Sequence, residues 1–228
     1  MRRRTPKVES PVLRRALITI FTVLTIDQVS KIWVKLHMYQ NERFAVLGDW
    51  FYIHFLENRG MAFGFEFGGE WGKIALSSFR VLAVIVIARY IYRFIQKGYH
   101  PGFIVASSMV LAGAIGNIID SAVYGLIFSE SPPNIPITAD FLPPDGGYAA
   151  FMMGNVVDML HFPLFSFHWP DWVPKVGGTE FEFFRPVFNI ADSAITVGLA
   201  CIFIFQKRFF PEEGLKAVLD ENDEEERP

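Results

Sequence analysis

One cysteine, Cys201, stands among 228 residues. No disulfide can therefore form within the chain, and no cysteine cluster can hold a metal. H-E-x-x-H is missing, as are G-x-S-x-G and a phosphate-cradling P-loop, so zinc proteases, serine hydrolases and nucleotide hydrolases lack their usual traces. His54 and Glu57 are three residues apart, but one such pair on a strand-like stretch reads more simply as a histidine at an interface. Nor does either sign of charge dominate, with 21 Lys and Arg against 24 Asp and Glu. The net value is −3, and beyond a short basic N-terminal segment nothing suits nucleic acid. No metal and no cofactor is expected.

What the chain has in quantity is apolar surface: 51% of residues are hydrophobic and 16% aromatic. Four segments, 16–37, 72–95, 102–124 and 187–209, are long enough to cross a bilayer, which takes roughly 20 mostly apolar residues. The first follows Arg2, Arg3, Arg4, Lys7, Arg14 and Arg15, as a secretory leader would. No small-residue cleavage pattern follows, and the apolar run is too long for a leader's core, so it is read as a retained span. Basic residues collect on the cytoplasmic side. They lie in the N-terminal segment, at Arg93 and Lys97, and in the tail at Lys207, Arg208, Lys216 and Arg227. The long segments 38–71 and 125–186 carry only Arg43, Arg59, Lys175 and Arg185. The expectation is one α-helical membrane domain over 1–228, with four transmembrane helices and both termini cytoplasmic. The acidic tail, 210–228, is a solvated end. In the first outer loop WFYIHFL (50–56) is strand-like, predicting a small β-sheet on the extracytoplasmic side with aromatics at the membrane surface. Trp169 and Trp172 are interface candidates in the second. SESPPNIPITADFLPPDGG (129–147) reads as an irregular surface loop that tolerates change.

The topology brings four aspartates, Asp27, Asp120, Asp158 and Asp192, to one leaflet. Asp192 is expected about a turn and a half below the outer end of the fourth span, roughly 8 Å deep. An ionisable group in a span is costly and usually functional. Three of the four share a form: Asn117-x-x-Asp120, Asn155-x-x-Asp158 and Asn189-x-x-Asp192. On a helix the two residues face the same way, so the Asn amide can hold its own box's carboxylate. Asp27 with Lys31 at i+4 reads as a paired structural element.

Two carboxylates held close share one proton, because both cannot comfortably ionise. One can activate water against a peptide carbonyl while the other polarises that carbonyl. A proton- or ion-coupled carrier is the alternative, since it too keeps carboxylates in its spans. Against it, the aspartates gather at one face rather than the midplane, and no inverted repeat is visible. A scaffold protein would leave the N-x-x-D boxes without a use.

Five stretches in order resemble the lipoprotein signal peptidase (signal peptidase II) family: DQVSK (27–31), ENRGMAFG (57–64), AGAIGNIID (112–120), GNVVDML (154–160) and FNIADSAITVG (188–198). The resemblance implies an aspartic endopeptidase of the bacterial inner membrane. It removes the signal peptide from prolipoproteins whose cysteine already carries diacylglycerol, cutting just before that cysteine. Its partners are lipid-modified prolipoproteins and membrane lipid. Asp158 and Asp192 become the catalytic pair, Asn117, Asp120 and Asn189 supports, and Asn58 and Gly60 substrate contacts. Two departures stand out. Ser121 occupies the position where the family usually has Arg, so a site cation is either missing or supplied from elsewhere, with Arg59 and Arg185 as candidates. The segment between Asp120 and Asp158 is also unusually long.

Overall fold

The structure, a computed structural model, describes residues 11–58, 69–133 and 135–210. The basic residues before position 11, Arg59, Gly60 and the rest of the second box, and the acidic tail lie outside the described residues.

Helix α1 (Pro11–His37) is turned inside out relative to a water-soluble helix. Leu17, Ile18, Phe21, Ile26, Val29 and Trp33 are exposed, whereas Asp27, Lys31 and Lys35 are buried. Charges face the protein and apolar side chains face outward, as a lipid environment requires. Helix α2 (Gly69–Gln96) likewise exposes Phe79, Leu82, Ile85 and Val86. Helix α3 (Pro101–Ile119) begins at His100, whose Nδ1 accepts from the Gly102 backbone N–H at 3.0 Å. It is the central helix: 56% of its apolar window is buried, against 17% for α1 and 11% for α2. Its packing face is made of small residues. A β-carbon on Gly116 would lie 2.6 Å from Asp27 Oδ2, and one on Gly113 would run into the carbonyl of Ala191. Glycine there lets neighbouring helices approach the site residues closely. Past Ile119 the helix widens into a π turn, Asp120–Tyr124, and then the short α4 (Gly125–Ile127). π turns recur at functional sites.

Among the described residues three helices are thus long and apolar enough to cross a membrane. Within the expected fourth span, 187–209, the helix is shorter than the apolar run. Val187–Phe188 form a strand, and the following helix α5 (Ile190–Ile204) has 15 residues, about 22 Å, before the short α6 (Gln206–Phe209). The apolar run in the sequence is continuous, but Asn189 caps α5 and fixes where the helix starts.

The expected sheet is present and larger than the sequence suggested. Strands β1 (Arg43–Leu47), β2 (Phe51–Asn58), β3 (Val156–His161) and β6 (Val187–Phe188) pair antiparallel in the order β1-β2-β3-β6. Leu56 opposes Asp158 and Asn58 opposes Val156, so the end of β2 meets the start of β3. Strands β4 (Phe165–His168) and β5 (Glu180–Phe183) form a separate hairpin with Phe165 stacked on Phe183, their ring centres 4.8 Å apart. The segment 129–147 is irregular, as expected, but it is not a plain surface loop. Ser131 and Ala139 are buried, and the Ala139 N–H donates to the carbonyl of Lys35 at 3.2 Å. Tyr148 packs against the cluster of Val34, Phe55, Tyr124, Phe128 and Val157 that joins helices to sheet.

Candidate functional site

The site forms where the C-terminal halves of α1 and α3, the start of α5 and the strands β2 and β3 meet. Its lower tier centres on Lys31, which is wholly buried. Lys31 Nζ pairs with Asp27 Oδ2 at 2.9 Å and Asp120 Oδ2 at 2.8 Å, and donates to Asn117 Oδ1 at 3.1 Å. Three acceptors take up the three protons of the ammonium. The carboxylates are served in turn. Asp27 Oδ1 accepts the Ala191 N–H at 2.8 Å, tying α1 to the start of α5. Gln28 Nε2 donates to Asp27 Oδ2 and Asp120 Oδ1, both at 3.0 Å, and the Val157 N–H points at Asp120 Oδ2 at 3.3 Å. The pairing of Asp27 with Lys31 is as the i+4 spacing predicts, and Asp120 joins it.

The upper tier holds Asp158 and Asp192. Asp158 lies on β3 with 5% of its surface exposed, and Asp192 is half-buried in the first turn of α5. Asn189 connects them. Its Nδ2 donates to Asp158 Oδ1 at 2.8 Å, while its Oδ1 accepts the Asp192 backbone N–H at 2.9 Å. Asn117 Nδ2 donates to Asp192 Oδ1 at 2.7 Å. Asn58, at the end of β2, hydrogen-bonds Asp158 through its side chain. Burial pushes the Asp158 carboxyl up to about 7, with the charge of Asp192 adding to it; Asn58, Asn189 and Lys31 pull the other way.

All the described candidates therefore converge: Asp27, Lys31, Asn58, Asn117, Asp120, Asp158, Asn189 and Asp192. Gly60 lies outside the described residues. Two expectations need correction. The asparagines do not hold the aspartates of their own boxes. Asn117 serves Asp192 and Asn189 serves Asp158, while Asn155 donates to Glu57 Oε2 at 2.9 Å. The i+3 argument presumes helix on both sides of each pair, but Asn155 and Asp158 lie on loop and strand, and Asn189 precedes its helix. Asp192 is not a turn and a half down a continuous helix either. It is the third residue of α5, near the positive end of the helix dipole. Of the proposed suppliers of a site cation, Arg185 is exposed and Arg59 is outside the described residues.

Other residues belong to the site that the sequence reading passed over. Arg80 on α2 interacts electrostatically with Asp192, Asp120 and Asp158. Its signal was an arginine alone in an apolar stretch, with no other charge between Lys73 and Arg89. Lys35 lies wholly buried one turn beyond Lys31, pairing with Glu57 and donating to Ser131 Oγ at 2.9 Å. Asn155 and Lys73 extend that network, since Lys73 Nζ donates to Asn155 Oδ1 at 3.0 Å. Among the described residues no three His, Cys, Asp or Glu are arranged to hold a metal.

Comparison with known proteins supplies independent findings. Residues 19–208 match the family model described as signal peptidase (SPase) II. The chain is 45% identical over 190 residues to the lipoprotein signal peptidase of Porphyromonas gingivalis, covering 83% of this chain and 81% of that one. It is 36% identical over 188 residues to that of Amoebophilus asiaticus, covering 81% and 74%. Among solved structures, two of bacterial membrane enzymes share the fold. One has a TM-score of 0.54 at 23% identity, covering 85% of this chain and 87% of the other. The second has 0.53 at 25%, covering 83% and 90%.

Proposed function

The chain belongs to the signal peptidase II family, and from that premise we propose that Asp158 and Asp192 are the paired carboxylates of an aspartic endopeptidase acting on lipid-modified prolipoproteins. The enzyme removes the signal peptide of a precursor whose cysteine carries diacylglycerol, cutting before that cysteine. It sits in the bacterial inner membrane with four spans, both termini cytoplasmic and the sheet and site on the extracytoplasmic face. The observation that carries this reading is the single asparagine, Asn189, joined through its two side-chain atoms to both members of the pair.

The two aspartates are furnished for different parts of one reaction. Asp158, raised to about 7 in its buried position, holds the proton. The negative charge belongs on Asp192, where the start of α5 and the Asn117 amide favour it. A water between them gives a proton to Asp192 as its oxygen attacks the scissile carbonyl carbon. Asp158 passes its proton to the carbonyl oxygen, giving a neutral tetrahedral diol. As that collapses, the proton on Asp192 goes to the departing amine nitrogen and the diol proton returns to Asp158. Depth supports the substrate class. The acyl chains stay in lipid at about 0.8 kcal/mol per CH₂, so the scissile bond lies near the glycerol level. A pair at the first turn of a helix, beneath a small sheet, suits that level better than a midplane site.

The test is cleavage of a lipidated prolipoprotein peptide by the purified protein in detergent, without added metal. Cleavage before the lipidated cysteine, lost in Asp158→Asn and Asp192→Asn, is expected. A folded wild type that leaves the peptide intact, with proton-coupled uptake in vesicles instead, would turn the reading toward a carrier.

A further inference from the structure

Helix α2 presents one polar row to the site. Lys73 Nζ donates to the carbonyl of Met153 at 2.6 Å and to Asn155 Oδ1 at 3.0 Å, and Ser77 Oγ to the carbonyl of Met152 at 3.4 Å. Residues 73, 77 and 80 fall at i, i+4 and i+7, on one helix face. The two contacts upstream therefore aim Arg80 along the same face, toward the segment that leads into β3. Its electrostatic partners agree with that direction: Asp192 from α5 is the strongest, then Asp120 from the π turn and Asp158 from β3. The rest of α2 around Arg80 shows apolar side chains to its surroundings. A guanidinium in such a helix is costly unless carboxylates face it, and here three do.

We propose that Arg80 is a positioning residue for the aspartate pair: a half-buried cation, aimed by the Lys73–Ser77 row, that holds the negative charge on Asp192 and so leaves the proton on Asp158. The inference rests on the reading of Asp158 and Asp192 as the working pair. Lys31 cannot fill this role alone, because its three protons go to Asp27, Asp120 and Asn117. Asn117, Asn58 and Asn189, the hydrogen-bonding side chains at the pair, are neutral. Arg80 is thus a cation on the α2 side that faces the aspartates, as Lys31 does from α1, while Lys73 of the same row is held by Met153 and Asn155.

The experiment compares Arg80→Met and Arg80→Lys by two readouts. In turnover of a lipidated peptide, Met is expected to lower kcat by tenfold or more with KM within about threefold, as for an interaction made in the transition state. Removing a cation raises the pKa of nearby carboxylates, so both limbs of the pH–rate profile move up by about one pH unit. Lys restores the limbs and most of kcat. The second readout needs no turnover: carboxyl-carbon NMR titration of the aspartates, assigned with Asp158→Asn and Asp192→Asn. The Asp192 midpoint is expected to rise in the Met variant and stay in place in the Lys variant. An unmoved midpoint in folded Arg80→Met overturns the proposal, even if peptide is cleaved. A raised midpoint in a protein that cleaves nothing sustains the charge contact and sinks only the peptidase reading. Should Met prevent folding, Arg80→Gln takes its place under the same criteria.

Discussion

Two groups of buried carboxylates sit within one site, and they are furnished differently. Around Lys31, Asp27 and Asp120 each have a direct cation and further donors from Gln28, Ala191 and Val157. Asp158, only a strand away, has hydrogen bonds from the neutral amides of Asn58 and Asn189. A buried carboxylate bonded directly to an ammonium is costly to unpair, and it works as a structural joint. One surrounded by amides and a second carboxylate can gain and lose a proton near neutrality, which chemistry requires. The comparison predicts that substitutions in the two groups fail in different ways.

The largest effect is expected at the pair. Asp158→Asn and Asp192→Asn should each cut turnover by about a thousandfold or more. The double variant should be little worse than either alone, because residues acting as a unit are not additive. The measurement is single-turnover cleavage in detergent. Independent, multiplying losses would show that the two do not act together. Stability should behave oppositely to activity. The folded value for Asp158, about 7, lies above its ordinary 3.8. Stability from this group is therefore full below about pH 4, falls as pH rises, and is gone above about 7. Asparagine cannot ionise, so the Asp158→Asn protein should gain on wild type across that window, by up to roughly 4 kcal/mol at pH 8. Thermal unfolding at pH 5 and pH 8 reads the difference.

Next in size is Lys31→Met. It strands two carboxylates at full burial, and breaking such a pair costs about 3–5 kcal/mol. The melting temperature should drop sharply at pH 8, with activity lost through unfolding. Asp120→Asn, which keeps hydrogen-bonding capacity, should lose far less turnover than Asp158→Asn. Equal loss in folded protein would erase the distinction between the two groups.

These contrasts mark where the sequence could be read. The long spans were legible because roughly 20 apolar residues leave a bilayer as their natural place. Asp27 with Lys31 was legible because i+4 spacing needs no tertiary knowledge. The crosswise service of Asn117 to Asp192 and Asn189 to Asp158 was not, because it joins residues 75 and 31 positions apart through a sheet register. Nor was the start of α5, since the residues directly flanking Asn189, Val187–Phe188 and Ile190–Ala191, are apolar on both sides. Nor were Lys35 and Arg80, because Glu57 and the aspartates come beside them only through the tertiary fold.

The smallest effects separate two parts of the long segment between the π turn and α5. Replacing 129–147 by a short Gly/Ser bridge removes Ser131 from Lys35 and the buried Ala139 from the junction of helices and sheet. A loss of about 2–3 kcal/mol is expected. Any fall in activity should follow the unfolded fraction.

The hairpin β4–β5 should matter least. Its aromatic pairs, Phe165 with Phe183 and Phe167 with Phe181, pack within the hairpin itself. Leu164, Phe165, Phe167, Phe183 and Trp172 are exposed, Trp172 at 81%. The bonds described at the aspartates and Lys31 come from Asn58, Asn117, Asn189, Gln28, Ala191 and Val157, all outside the hairpin. Joining Leu164 to Phe184 through a Gly/Ser turn should therefore leave kcat for a lipidated peptide within about twofold and the melting temperature within a few degrees. KM is the sensitive quantity. Exposed aromatics beside a membrane surface can rest in the headgroup layer, and losing them would weaken membrane association without touching the pair. A rise in KM for peptide in vesicles, absent in detergent micelles, fits that position. A large fall in kcat in micelles would place the hairpin in the reacting site and break its separation from the packed segment.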